Sequence, residues 1–240
     1  MPATQKPLEN PTALVTGASR GIGRAIAERL SRMGARVAIC GRDEQALNAA
    51  AEALRHEGIQ VFEHPADVRD TGQVAELVRR VTEALGEIEI LVNNAGVGVF
   101  GPAHERTDQE WDTVLDTNLK GVFLVSRAVA PQMIRRRSGH IINISSLAGK
   151  NAFAGGGIYC ASKWGLLGLT YCMAEDLRGY GIRVSAVCPG TVQTEFSPHA
   201  GKEPGKMLQP SDVAHAVEML VTQAPQSFIS EVLLRPTQKP

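Results

Sequence analysis

Net charge is what this chain lacks first: 25 Lys and Arg offset 25 Asp and Glu across 240 residues, and the pI is near 7.0. A neutral chain exerts no long-range pull on nucleic acid or on an anionic membrane surface, so neither is expected as a partner. Cysteine is scarce: Cys40, Cys160, Cys172 and Cys188 are scattered with no CxxC spacing. That excludes a disulfide framework and a thiolate zinc site, and the four read as reduced, buried small hydrophobes. None of the six histidines is spaced as a metal ligand pair, so no metal is expected. No run approaches the roughly 20 apolar residues of a membrane span. The opening stretch Met1–Pro11 is polar and broken by prolines, without the apolar core of a secretory signal. The expectation is a soluble, cytoplasmic chain. Linkers, low-complexity tracts and internal repeats are also missing, which points to a single domain over residues 1–240.

What is present is an alternation. Short apolar runs fall at Ala13–Thr16, Val37–Cys40, Val61–His64, Ile88–Val92, Ile141–Ser145, Val184–Cys188 and Phe228–Leu233. Segments of helical period lie between them, near Gly21–Met33, Glu44–Glu57, Gly72–Leu85, Asp108–Arg136, Tyr159–Arg178 and Ser211–Thr222. Continuous apolar strands separated by amphipathic helices describe a parallel sheet covered on both faces. The fold class is therefore α/β: a doubly wound, Rossmann-type sheet of seven strands. The segment Gln193–Gln209, rich in Pro, Gly, His and Lys, follows the sixth strand on the side where such sheets bind ligands. It is a candidate substrate loop, with a plain surface loop as the alternative.

The first strand runs directly into Thr16-Gly17-Ala18-Ser19-Arg20-Gly21-Ile22-Gly23 and then into a helix. Glycines at 17, 21 and 23 let the backbone turn tightly and approach a pyrophosphate. The helix start offers unpaired N–H groups and the positive end of its dipole. After the fourth strand comes Asn93-Asn94-Ala95-Gly96, small residues that let the chain pass close under a ligand. Tyr159-Cys160-Ala161-Ser162-Lys163 puts a phenol and an ammonium four residues apart, on one helix face. Ser146 stands thirteen residues before Tyr159, and Pro189-Gly190-Thr191-Val192-Gln193-Thr194 follows the sixth strand.

In their order and spacing these motifs resemble the short-chain dehydrogenase/reductase family, over about residues 14 to 194. The overall length is similar to that of its 3-oxoacyl-[acyl-carrier-protein] reductases. The resemblance implies a nicotinamide cofactor held by Gly17, Ser19, Arg20, Gly21, Ile22 and Gly23, with Asn94, Ala95 and Gly96 beneath it. It further implies that Asp67 and Val68 meet the adenine, an N-cap role near Asp70 being the other reading. Pro189, Gly190, Val192 and Thr194 would then face the nicotinamide.

The choice of cofactor turns on the end of the second strand. NAD-binding members carry an acid there; this chain has Gly41, then Arg42. A glycine leaves room for a 2′-phosphate and an arginine holds it by charge and forked hydrogen bonds, so NADP(H) is expected before NAD(H). Asp43 is the competing acid, placed instead at the start of the next helix.

The catalytic set implied by the resemblance is Asn118, Ser146, Tyr159 and Lys163. A free phenol titrates near 10, and bringing it to neutrality takes about 4 kcal/mol. One cation about 4 Å away at an effective dielectric near 20 supplies that much. Lys163, helped by the positive charge on oxidised nicotinamide, is expected to do so while binding the nicotinamide ribose. Ser146 would hold the substrate oxygen, Ser145 being its rival. Asn118 would perturb its helix and link Lys163 to solvent, unless it is an exposed polar residue. Phe153, Trp164 and Phe196 flank these motifs and are candidates for an apolar pocket.

The implied activity is hydride transfer between NADP(H) and a carbonyl or secondary alcohol, with 3-oxoacyl thioesters among the substrates in view. The other class is an NADP-binding regulator without catalysis, but it would normally have lost one of Ser, Tyr or Lys. Family members pack as homodimers or homotetramers through two long helices, which Asp108–Arg136 and Tyr159–Arg178 suit. Arg135-Arg136-Arg137 reads as a solvated helix end, with acyl-carrier docking as the alternative. The tail Arg235-Pro236-Thr237 departs from the family's glycine-rich ending, so contacts there do not carry over.

Overall fold

The computed structural model describes residues 9–196 and 203–239. Seven strands, β1 (Thr12–Thr16), β2 (Arg36–Gly41), β3 (Val61–Pro65), β4 (Ile88–Asn93), β5 (Gly139–Ile144), β6 (Ile182–Pro189) and β7 (Glu231–Leu234), form one sheet in the order β3-β2-β1-β4-β5-β6-β7. All neighbours pair in parallel. The helices are α1 (Gly21–Arg32), α2 (Glu44–His56), α3 (Thr71–Leu85), α4 (Asp108–Leu115), α5 (Gly121–Arg136), α6 (Gly157–Arg178) and α7 (Pro210–Val221). This is the single-domain Rossmann-type arrangement expected.

Period-2 alternation along β1 sorts its side chains between two cores. Ala13 and Val15 join a cluster with Ile26 and Leu30 of α1, Leu47 and Leu54 of α2, and Val217 of α7. Leu14 joins the opposite cluster with Leu77 of α3, Val125 and Met133 of α5, and Leu177 of α6. Burial on both faces explains why the strands read as unbroken apolar runs rather than alternating ones. The helices present stripes at matching spacing: Gly23, Ile26, Ala27 and Leu30 on α1, and Leu47, Ala50, Ala51 and Leu54 on α2. Asp43 caps α2, accepting from the Ala46 N–H at 3.0 Å, and Asp70 caps α3 through the Gln73 N–H at 2.8 Å. Strand order reverses between β1 and β4, so a crevice opens beyond their carboxyl ends.

Three expectations need correction. The segment Asp108–Arg136 is not one helix: a π-helical turn, Asp116–Lys120, separates α4 from α5. The last strand starts at Glu231 rather than Phe228, because the Ile229 N–H donates to the Gln223 side chain at 2.8 Å instead of joining the sheet. Of the four cysteines, three are buried, but Cys172 is exposed on the outer face of α6. No helix among the described residues is long and apolar enough to cross a membrane.

Candidate active site

A cleft of about 1740 Å³ runs along the carboxyl ends of the strands. It joins the glycine turn and Arg42 at one end to Ser146, Tyr159 and Lys163 at the other. At its first end, backbone geometry dictates the residue types. Gly17 and Gly21 have φ of +63° and +55°, and a Cβ on Gly17 would lie 2.7 Å from Ala95 Cα. A Cβ on Gly23 would lie 2.4 Å from both the Gly17 carbonyl and Asn94 Nδ2, which leaves no alternative to glycine. Asn94 locks the turn to β4, its Nδ2 donating to the carbonyls of Thr16 at 3.0 Å and Gly17 at 2.9 Å. Thr16 Oγ1 accepts from the N–H groups of Asn94 and Ala95.

These observations fit a dinucleotide. Helix α1 begins without a side-chain cap and without an acid in its first turn, so its free N–H groups and positive dipole end face the cleft. A Cβ on Gly41 would meet nothing nearer than the Ser19 hydroxyl at 3.7 Å, which leaves space beside the turn. Arg42 has no ion pair or hydrogen bond among the described residues. Asp43, the competing acid, is committed to capping α2.

Two expected ligands of this end are otherwise engaged. Arg20 pairs with Glu195 at 2.8 Å across the cleft mouth, both side chains largely in solvent. Asp67 holds Arg69 in a fork of 2.6 to 3.0 Å, which keeps its carboxyl below the usual carboxylate range. Val68 packs against Gly121 and lines the cleft beside Asp67.

At the other end, Tyr159 and Lys163 do share a face of α6: the Lys163 ammonium stands 5.8 Å from the centre of the Tyr159 ring. The Lys163 Nζ donates to the Ile144 carbonyl at 3.0 Å, and among the described residues no hydrogen bond joins it to the phenol. Burial, the larger influence, pushes the Tyr159 hydroxyl up to about 12, opposed by a hydrogen bond with Ser146. Burial also pushes the Lys163 ammonium down to about 8. At the phenol, burial outweighs the hydrogen bond from Ser146, while the Lys163 ammonium lies beside the ring.

The hydroxyl that meets Tyr159 is that of Ser146, whose Oγ also accepts from the Ala148 N–H at 3.1 Å. Its rival Ser145 turns inward toward the Lys163 carbonyl. Asn118 is fully buried in the π-helical turn, not exposed on a helix surface. Its Oδ1 accepts from the Val97 N–H at 2.8 Å, and its Nδ2 donates to the Val97 carbonyl at 2.9 Å and to Ser162 Oγ at 3.0 Å. Gly96 lies between it and the lysine: Asn118 Oδ1 and Lys163 Nζ stand 3.3 and 3.9 Å from where a Cβ would be.

Pro189, Gly190, Val192 and Thr194 all line the cleft. Residues 197–202 of the segment Gln193–Gln209 lie outside the described residues, but its two ends are pinned together. Gln193 N–H donates to the Leu208 carbonyl at 2.8 Å, and Leu208 N–H to the Thr191 carbonyl at 3.0 Å. Phe153 and Phe196 line the cleft, whereas Trp164 does not and stands half-exposed on α6. Sequence reasoning missed Phe100, whose ring lies 5.4 Å from that of Tyr159. It also missed the tail: Arg235–Lys239 edges the cleft, with the Gly190 N–H donating to the Leu234 carbonyl at 2.8 Å. No motif marked either one.

Fold and cleft together define a doubly wound α/β protein with a glycine-turn ligand site leading to a buried Ser–Tyr–Lys cluster. The chain matches the short chain dehydrogenase family over residues 11–204 and belongs to it. It is an oxidoreductase of that family. Among curated relatives, the 3-oxoacyl-[acyl-carrier-protein] reductase FabG of Staphylococcus epidermidis is 42% identical over 190 residues, 78% of each chain. That of Staphylococcus aureus is 39% identical over 223 residues, 88% of this chain and 90% of the relative. Among solved structures, a metagenomic short-chain oxidoreductase in complex with NADP is 46% identical, with a TM-score of 0.84 over 95% of this chain and 98% of the other. A singly substituted actinorhodin polyketide ketoreductase with NADPH is 34% identical, with a TM-score of 0.89 over 95% and 97%.

Proposed function

We propose that this protein is an NADP(H)-dependent carbonyl reductase or alcohol dehydrogenase whose acid/base group is Tyr159. The observation that carries the reading is the cleft joining an uncapped helix start and Arg42 to the Ser146–Tyr159–Lys163 cluster. Solved relatives bound to NADP or NADPH support the choice of cofactor. Gly17, Ser19, Gly21, Ile22 and Gly23 would cradle its pyrophosphate, and Arg42, joined by Arg20 once released from Glu195, its 2′-phosphate.

When bound, the cofactor would supply or accept the hydride. Tyr159 delivers the proton to the carbonyl oxygen, or removes it from the alcohol. Ser146 holds that oxygen against the phenol, so that charge developing there meets a fixed donor. Lys163 would hold the nicotinamide ribose and contributes positive charge close to the phenol. Asn118 is a positioning residue: it keeps the helix open beside Lys163, so the proton can be replaced from solvent. Phe196, near the start of the segment 193–209, would line the substrate side of the cleft. The chemistry fits a 3-oxoacyl thioester as one substrate among carbonyl compounds.

The exposed faces of α4, α5 and α6 suit a homodimer or homotetramer. Trp111, Phe123 and Trp164 are each 42 to 53% exposed there. A panel of ketones, aldehydes and 3-oxoacyl thioesters, followed by loss of reduced cofactor with NADPH and NADH in parallel, tests the proposal. Turnover with NADPH preferred is expected. Oxidation of neither cofactor across the panel would favour the silent regulator.

A further inference from the structure

Three of the chain's six phenylalanines form a run of ring contacts with Tyr159, Phe100 and Phe196 directly and Phe153 through Phe100, each from a different loop at the carboxyl end of the sheet. Phe100 follows β4, Phe153 follows β5 and Phe196 follows β6. The rings run in sequence, Phe153 to Phe100 at 6.4 Å, Phe100 to Tyr159 at 5.4 Å and Tyr159 to Phe196 at 5.7 Å. They form one aromatic wall with the phenol inside it.

The backbone is shaped to hold this wall. A Cβ on Gly98 would lie 2.8 Å from the Phe100 ring and 3.1 Å from that of Phe196, and one on Gly156 would lie 2.6 Å from the Phe153 ring. The Phe100 and Phe153 loops are tied by a hydrogen bond from the Gly101 N–H to the Gly155 carbonyl at 2.8 Å, between residues at φ +143° and +74°. The two end rings remain open to the cleft, Phe153 half and Phe196 41% exposed. Large flat apolar faces directed into a ligand cleft are covered by a ligand's own apolar body.

Resting on the oxidoreductase reading above, we infer that the substrate is an aryl ketone or aryl aldehyde. Its ring lies against Phe153 and Phe196 and its carbonyl meets Tyr159. Edge and tilted contacts between rings stabilise beyond what area alone gives, so an aromatic body is preferred to a saturated one of the same shape.

The test compares acetophenone with cyclohexyl methyl ketone, which share a carbon skeleton, using the full chain and NADPH. The expected kcat/KM ratio favours the aryl ketone by about tenfold, from two ring contacts. Phe153→Leu and Phe196→Leu each keep apolar bulk but lose the flat face, and each should lower that ratio several-fold, through KM more than kcat. Circular dichroism checks that both variants fold. In saturation-transfer NMR the phenyl protons should receive more magnetisation than the methyl protons. Equal efficiency on the two ketones, or a ratio unmoved by both variants, overturns this inference and leaves the oxidoreductase reading intact. No turnover of either ketone or of any compound in the wider panel, with NADPH or NADH, overturns both.

Discussion

Mild acidification should destabilise this protein through one buried histidine. His140 opens β5 inside the core, 2% exposed, and its Nε2 lies 2.9 Å from Ser185 Oγ. Ser185 donates its proton to the Ile229 carbonyl at 2.6 Å, so the imidazole carries its hydrogen on Nε2 and Nδ1 faces no partner. Arg183, its pairing neighbour on β6, adds positive charge, and burial with that charge pushes the imidazole down to about 3. In the unfolded chain it titrates near 6.5. Between those values the unfolded chain binds a proton that the folded one refuses, so stability falls as pH drops from about 6.5 toward 3. The whole effect is of order 5 kcal/mol, of which about 2 kcal/mol is lost between pH 7.5 and 5.0. His140→Gln keeps a donor for Ser185 and removes the titration. Urea unfolding at pH 7.5 and 5.0, at fixed protein concentration, should show the variant losing about 2 kcal/mol less than wild type over this interval. Equal losses in the two proteins would refute the reasoning.

Other expectations follow from the cleft. Arg42→Ala should raise KM for NADPH by about tenfold or more, the worth of a charge-assisted hydrogen bond, and leave KM for NADH nearly unchanged in steady-state assays. Glu195→Gln frees Arg20; since an exposed pair is worth at most about 1 kcal/mol, KM for NADPH should fall by no more than about fivefold. A rise in KM would show that the pair holds the cleft in its binding form instead. Asn118→Leu strands the Val97 and Ser162 partners in the core and should cost about 2–4 kcal/mol in urea unfolding.

The fold was legible in the sequence because burial on both faces of a parallel sheet leaves a strong mark: uninterrupted runs such as Ala13–Thr16 between helices with stripes at 3.6-residue spacing. The glycine turn was legible for a steric reason, since no side chain fits at positions 17 or 23. What stayed hidden depends on contacts distant along the chain. The break at Asp116–Lys120 falls where the resemblance placed a helix perturbation at Asn118, but periodicity alone could not register it, because it is tied to Asn118 bonding Val97, 21 residues away. Phe100 and the tail Arg235–Lys239 reach the cleft only through loop paths. The pairing of Arg20 with Glu195 joins residues 175 apart, and nothing local to either foretold it. The burial of Tyr159, set by its packing against Phe100 and Phe196 from other loops, left no mark in the spacing of Tyr159 and Lys163.

Replacing Tyr159 by phenylalanine removes one oxygen and keeps the ring packed between Phe100 and Phe196. Titration of NADPH into the variant, followed by single-turnover reduction of a ketone that the wild type reduces, separates binding from chemistry. Near-normal NADPH affinity with turnover lowered by at least about a thousandfold is the predicted result. A variant that reduces the ketone at the wild-type rate would contradict the central claim that this phenol moves the proton.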